Sequence, residues 1–132
     1  MSKLEISISS EISNIVKIEN FIESFTNYFQ LPVDSFGKIS LPIIEAVNNA
    51  ILSGNEQDPK KLVQLTAEKV NDKLIVTVQD EGKGFDYTHI PDPTEPENVE
   101  KIAGRGLYLM KILSDELIFE KNGAFVTLIF NL

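Results

Sequence analysis

Glu45 and Asn49 place a carboxylate and an amide in a segment that is otherwise apolar. Between Leu41 and Ser53 the only charged residue is Glu45. Side chains four positions apart share a helix face, so the two groups point the same way, and Asn48 lies beside them. A buried carboxylate costs free energy unless it is paired, hydrogen-bonded or bound to a metal. The pattern predicts either a polar cleft that performs chemistry or a core glutamate whose hydrogen bonds are satisfied.

A second motif, DEGKG at positions 80–84, follows a strand that we predict to end at Gln79. Gly82 and Gly84 allow the backbone to turn sharply and to approach a flat ligand closely. The Asp80 carboxylate can accept a hydrogen bond from an exocyclic amine such as that of adenine. A plain acidic turn at a strand end has the same composition, so this motif alone leaves both interpretations open.

A third motif places Gly104, Arg105 and Gly106 directly before a predicted apolar helix. Free amides at a helix start that no side chain obstructs form an anion site, and Arg105 could add a cation. The alternative is a helix entered through flexible glycines, with a solvated arginine. The chain contains no G-x-x-x-x-G-K-[ST] phosphate-binding loop.

The composition of the 132 residues predicts one globular domain over residues 1–132. A net charge of −8 argues against nucleic acid as the main partner and disfavours anionic membrane surfaces. A nucleotide would therefore be bound locally, through backbone amides, a few cations or a divalent metal. Cysteine is absent, and we find neither a leader peptide nor an apolar run of about 20 residues, so we expect a cytoplasmic protein.

The spacing of apolar residues predicts the elements that carry these motifs. Alternation over residues 3–9 predicts a strand, Ser10 an N-cap, and three-and-four spacing a helix over residues 11–30. A second helix is expected to follow a cap at Asp34 and to run to about Ser53, kinked or interrupted at Pro42. Strands are expected over residues 61–70 and 74–79, joined by a turn at Asn71-Asp72.

The C-terminal part predicts a helix over residues 105–113 and a hairpin of strands 117–121 and 125–131, turning at Asn122-Gly123. Between Gly82 and Gly104 the prolines and acidic residues predict a long mobile loop that could cover the site. The order of elements predicts an α+β fold, a two-layer sandwich with three helices on one face of a mixed, mostly antiparallel sheet.

The three motifs, in this order, resemble those of the Bergerat-fold (GHKL) ATPases, from about Leu41 to the end of the chain. The strings EAVNNAI and GRGLYLMK look most like those of bacterial anti-sigma-factor serine kinases of partner-switching systems. The resemblance implies a protein that binds ATP and Mg²⁺, phosphorylates an anti-anti-sigma partner on serine and sequesters a sigma factor. It also implies that the first strand and helix could pair two subunits into a homodimer.

The resemblance also assigns roles to residues. It makes Glu45 the general base, Asn49 the Mg²⁺ ligand and Asp80 the carboxylate that reads adenine. The residues it places around the nucleotide are Gly82, Gly84, Gly104, Arg105 and Gly106. Two positions depart from the family pattern, since Ser53 replaces a frequent histidine and Ala124 replaces a small hydroxyl residue near adenine. Thr127 lies close to the second position but in another register, so that role is not transferred to it.

Three alternatives share part of this pattern. A nucleotide-dependent binding module could switch partners without transferring phosphate, although such a protein would have little need of Glu45. The catalytic domain of a two-component histidine kinase carries similar motifs, but we expect it to come with a helical hairpin that holds a phosphoacceptor histidine. Gyrase-like and repair ATPases would need further domains to couple hydrolysis to DNA.

Overall fold

The computed structural model describes residues 3–84 and 102–132, with residues 102–105 as backbone only. In these residues three α-helices and five strands follow one another in the predicted order. They are β1 (Lys3–Ser9), α1 (Ile15–Tyr28), α2 (Phe36–Asn49), β2 (Leu62–Val70), β3 (Lys73–Gln79), α3 (Ile102–Leu113), β4 (Glu116–Glu120) and β5 (Phe125–Asn131). Of the mobile loop predicted between Gly82 and Gly104, residues 85–101 lie outside the described residues, and its last residues belong to α3. No helix in the described part is long and apolar enough to cross a membrane.

The strands form one sheet in the order β1-β2-β3-β5-β4, and each neighbouring pair is antiparallel. The predicted α+β sandwich is therefore confirmed, with a sheet that is antiparallel throughout the described strands. Asn71-Asp72 is the two-residue turn between β2 and β3, and Asn71 takes a φ of 55°. The connection between β4 and β5 is longer than the predicted Asn122-Gly123 turn, because Glu120 pairs with Phe125 and four residues lie between them.

The core lies between the sheet and the helices and is formed by the apolar residues of both. Every second residue of a strand faces the helices, and residues three or four apart on a helix face the sheet. On β3 the residues with almost no exposure are Leu74, Val76 and Val78, and those on α1 and α2 are Ile18, Ile22, Phe25, Ile39, Ile43 and Val47. The opposite face of the sheet carries polar side chains such as Thr66, Thr77 and Thr127, which are half-buried.

α2 starts at Phe36 and remains continuous through the buried Pro42. The expected interruption at Pro42 is therefore absent. The predicted cap Asp34 lies within a 3₁₀ turn over Val33–Ser35, and Ser35 takes the N-cap position of α2 instead. After Asn49 the chain stays helical but widens into a π-turn over Ala50–Gly54. A π-turn inside or at the end of a helix is frequent at functional sites, because it shifts the direction in which the following backbone points.

Ser10 does not act as the predicted N-cap. Its hydroxyl donates to the Lys61 carbonyl oxygen at 2.8 Å, and the residue has no solvent exposure. Glu11 precedes a short 3₁₀ turn over Ile12–Asn14, so α1 begins four residues later than expected. Ser10 is thus used to join the end of β1 to the segment before β2.

Candidate functional site

The Glu45 and Asn49 side chains lie together where α2 packs against the start of α3. A Cβ built on Gly106 would stand 2.7 Å from Glu45 Oε2 and 3.8 Å from Asn49 Nδ2. Both side chains are half-buried, while Gly106 is buried. The structure therefore brings one residue of the third motif against both residues of the first, and glycine is required at 106 for this approach.

α3 begins at Ile102, three residues earlier than predicted. Gly104, Arg105 and Gly106 thus lie within its first two turns, and Gly104 is part of the helix instead of preceding it, which corrects the expected glycine entry. The first four N–H groups of a helix have no acceptor within the helix, so Gly104 and Arg105 still contribute amides to its N-terminus. The Arg105 side chain lies outside the described part of the structure.

Asp80 lies at the end of β3 and is only 6% exposed. Its backbone N–H donates to the Ala124 carbonyl oxygen at 2.9 Å, and its Oδ1 accepts the Gly82 N–H at 2.7 Å. Burial raises the pKa of the Asp80 carboxyl above its ordinary value, although the Gly82 hydrogen bond and the charge of Lys61 oppose the shift. The carboxylate is therefore held in a position that disfavours its charge.

Gly54 directly follows Ser53, the predicted end of the second helix, and is a site residue that sequence reasoning missed. A Cβ on Gly54 would overlap the Asp80 carboxylate, and a Cβ on Gly82 would overlap the Gly54 carbonyl group. The end of the π-turn thus packs directly on the DEGKG motif. A glycine just past a helix is expected as a C-cap in any case, so its role in the site left no separate signal in the sequence.

Gly84 fixes the other side of the same motif. Its φ of +92° is one that L side chains rarely adopt, and a Cβ there would overlap the Asn122 carbonyl group. The DEGKG segment is therefore packed between the π-turn and the β4–β5 connection. Thr127, in contrast, points to the open face of the sheet, since its neighbour Val126 is the one that faces the helices.

A narrow cleft connects Asn49 to Asp80. Its lining is apolar except at those two residues and consists of Ala46, Asn49, Ala50, Val78, Asp80, Met110, Gly123 and Val126. Its volume of about 10 Å³ holds about one water molecule, so an adenine ring enters only if the cleft widens. Met110, which is 1% exposed, is the largest side chain in the lining.

The Asn49 amide has an orientation that suits a hard cation. Its Nδ2 donates to Met110 Sδ at 3.8 Å, which directs the amide oxygen away from the sulfur. Among the described residues no three Asp, Glu or His side chains cluster as a ready cation site. Mg²⁺ often keeps several waters and takes one or two protein oxygens together with substrate phosphates, so a single amide oxygen fits this mode of binding.

We predict that Gly106→Ala displaces the Glu45 carboxylate without unfolding the protein. The new methyl group would stand 2.7 Å from Oε2, closer than atoms in contact allow, so the carboxylate must move. The measurement is ATP turnover or phosphotransfer, with an expected loss of about 100-fold, the lower range for a misplaced general base.

The control for this substitution is Gly37→Ala in α2, where nothing lies within 4 Å of the new Cβ. Alanine is the better helix former, so this variant should gain about 0.5–1 kcal/mol in free energy of unfolding and keep its activity. Full activity in Gly106→Ala would contradict the placement of Glu45.

We predict that Asp80→Asn stabilises the ligand-free protein while weakening ATP binding. When folding raises the pKa of an acid, the free energy of unfolding of the protein falls as pH rises from the ordinary pKa of the acid, here 3.8, through the raised pKa. The free energies of unfolding of the two proteins, measured in urea, should therefore be equal at acid pH. At neutral pH that of the variant should be the higher. An equal difference at every pH would contradict the assignment of the buried charge.

The affinity of Asp80→Asn for ATP should fall about 10-fold or more, since an NH₂ group replaces a charged acceptor.

Comparison with known proteins gives relatives that cover most of the chain. This chain is 30% identical over 121 residues to the anti-sigma F factor of Geobacillus kaustophilus, and the match covers 89% of this chain and 80% of the relative. It is 28% identical over 126 residues to the anti-sigma F factor of Clostridium perfringens, covering 91% and 87%. The serine-protein kinase RsbW of Staphylococcus epidermidis is 25% identical over 104 residues, which are 73% of this chain and 65% of the relative.

A solved structure and a family description agree with these relatives. A crystal structure of the RsbU and RsbW domains of a Mycobacterium tuberculosis protein matches all of this chain with a TM-score of 0.72. The identity is 17% and the match spans 32% of that longer chain, so it shows a shared fold. The histidine kinase-like ATPase domain matches residues 8–130, nearly the whole length. The chain therefore belongs to the histidine kinase-like ATPase domain family.

Proposed function

We propose that this chain is an ATP-dependent protein serine kinase that also acts as an anti-sigma factor. It would phosphorylate a small anti-anti-sigma protein on serine and bind a sigma factor, so that phosphorylation of one partner controls access to the other. Family membership implies the use of ATP, and relatives with 28% and 30% identity are named anti-sigma F factors. The relative named a serine-protein kinase supports the transfer of phosphate to serine.

The observation that carries this proposal is the position of Glu45. Its carboxylate lies at the contact between α2 and the first turns of α3, on the same helix face as Asn49. A carboxylate there can orient a serine hydroxyl and accept its proton as the hydroxyl oxygen bonds to phosphorus. A protein that only bound nucleotide would have little need of a carboxylate at this contact.

Other residues would hold the nucleotide. The Asp80 carboxylate would accept a hydrogen bond from the exocyclic amine of adenine, and the amides of Gly104 and Arg105 at the α3 N-terminus would face phosphate. The Asn49 amide oxygen would bind Mg²⁺, which supplies charge neutralisation of the phosphates when it is present. Gly82 and Gly84 would keep the backbone close to the base, as their packing against Gly54 and Asn122 supports.

Pairing of two copies through β1 and α1 is part of the same proposal. β1 is an edge strand of the sheet, and no other strand of the described residues pairs with its outer side. Ile12 and Val16, at and just before the start of α1, are 44% and 59% exposed. An open edge beside exposed apolar side chains supports a homodimer formed on this side of the molecule.

We predict that Glu45→Gln lowers phosphotransfer by at least about 100-fold, because general-base assistance contributes 10²–10⁴-fold. The assay uses labelled ATP, Mg²⁺ and a candidate anti-anti-sigma protein, and follows label on the partner's serine. ATP binding, measured in parallel, should stay within a few-fold of the wild type. A matched control is Glu23→Gln, which removes an exposed carboxylate from α1, a helix that carries none of the proposed site residues.

Two results would overturn parts of this proposal. Undiminished transfer by Glu45→Gln would remove Glu45 from the role of base. No transfer by the wild type, together with partner binding that ATP tightens, would identify a nucleotide-dependent binding module in place of a kinase.

A further inference from the structure

Asn55 is a buried polar residue at the end of the π-turn, and no motif of the sequence singles it out. It has no solvent exposure, and its backbone N–H donates to the Ala50 carbonyl oxygen at 2.8 Å. Its Nδ2 donates to Ser10 Oγ at 2.8 Å and to the Leu62 carbonyl oxygen at 3.0 Å. Its Oδ1 accepts the Glu81 N–H at 2.7 Å.

The direction of each hydrogen bond is set by its partners. The Ser10 hydroxyl gives its one proton to the Lys61 carbonyl oxygen, so it can only accept from Asn55. The Leu62 carbonyl oxygen is also an acceptor. Both protons of the Asn55 amide are therefore used, and its oxygen must face Glu81.

This side chain ties the Asp80 turn to the helix that carries Glu45 and Asn49. Glu81 directly follows Asp80, and its carboxylate accepts the Leu62 N–H at 2.5 Å, so the turn is fixed through backbone and side chain. Gly54, which precedes Asn55, packs on the Asp80 carboxylate. Two adjacent residues thus set the position of that carboxylate relative to α2.

The backbone after Asn55 is strained. Glu56 and Gln57 take φ values of 52° and 60°, in the left-handed region that L residues rarely adopt. Such a conformation persists only where neighbouring contacts determine it. The five hydrogen bonds of Asn55 are such contacts, since its side chain holds the chain immediately before the strained pair. Its carbonyl oxygen also accepts the Asp58 N–H at 3.0 Å, across that pair.

We propose that Asn55 is a positioning residue for selection of the purine base. It holds the Asp80 carboxylate where it meets the exocyclic amine of adenine and repels the carbonyl oxygen that guanine has at that position. Because Asp80 reads a base only if the chain binds ATP, this role rests on the proposed function. A role in stability alone would leave the preference for ATP over GTP unchanged.

The test is calorimetric titration with ATP and with GTP, each with Mg²⁺, together with the thermal midpoint of each variant. Asn55→Ala should weaken ATP binding by about tenfold and GTP binding little, so that the ATP preference falls by about the same factor. The matched control is Asn14→Ala. Asn14 is also buried and donates two hydrogen bonds, to Ser9 O and Ser9 Oγ, without touching the Asp80 turn.

Asn14→Ala should lower the thermal midpoint and keep the wild-type ratio of the two affinities. If Asn55→Ala lowers the midpoint in the same way and also keeps the ratio, the proposal is overturned. Should Asn55→Ala fail to fold, Ser10→Ala decides, because it removes one acceptor of the Asn55 amide and leaves Asn55 in place. The ratio of ATP affinity to GTP affinity in Ser10→Ala should fall about two- to threefold, and an unchanged ratio overturns the proposal. A wild type that binds neither nucleotide contradicts the proposed function itself, before any variant is compared.

Discussion

The buried carboxylate of Asp80 is the feature around which the neighbouring segments are arranged. A charge with 6% exposure is unfavourable unless hydrogen bonds and nearby charges compensate it. The Gly82 amide and the charge of Lys61 compensate part of this cost, yet burial still raises the pKa of the carboxyl. A chain selected for stability alone would place an apolar side chain here, so the retained cost points to a ligand that uses the carboxylate.

Close backbone packing is what brings the polar groups together. Gly106 allows α3 to approach Glu45 and Asn49. Gly54 and Gly82 allow the end of the π-turn to contact the Asp80 turn. A single Cβ at any of these positions would push apart two elements that carry functional groups. The three glycines therefore set the shape of the cleft, while apolar side chains of α2, α3, β3 and β5 provide its walls.

The parts of the site that were predictable from sequence are those with local causes. The shared face of Glu45 and Asn49 follows from a spacing of four in a helix, and Asp80 was placed by the strand that precedes it. Asn55 and Ser10 could not be found in this way, since their hydrogen bonds join residues 26, 45 and 51 positions apart. Their residue types are those of any loop or helix cap.

The fold was predictable to a similar extent. The order of elements and the Asn71-Asp72 turn follow from local patterns, whereas the start of α3 and the length of the β4–β5 connection do not. Gly104 and Gly106 lower helix propensity, and sequence reasoning began α3 only at Arg105, but packing against α2 outweighs a cost of about 1 kcal/mol for each glycine. Tertiary contact is therefore what decides where this helix begins.

A crystal structure of the protein with a non-hydrolysable ATP analogue and Mg²⁺ tests most directly whether these groups form one nucleotide site. We expect the exocyclic amine of adenine at about 3 Å from the Asp80 carboxylate and the Asn49 amide oxygen bound to Mg²⁺. We also expect the cleft lined by Met110 to be wider than in the ligand-free protein. A nucleotide bound elsewhere on the molecule, or an adenine amine that does not contact Asp80, would contradict this assignment.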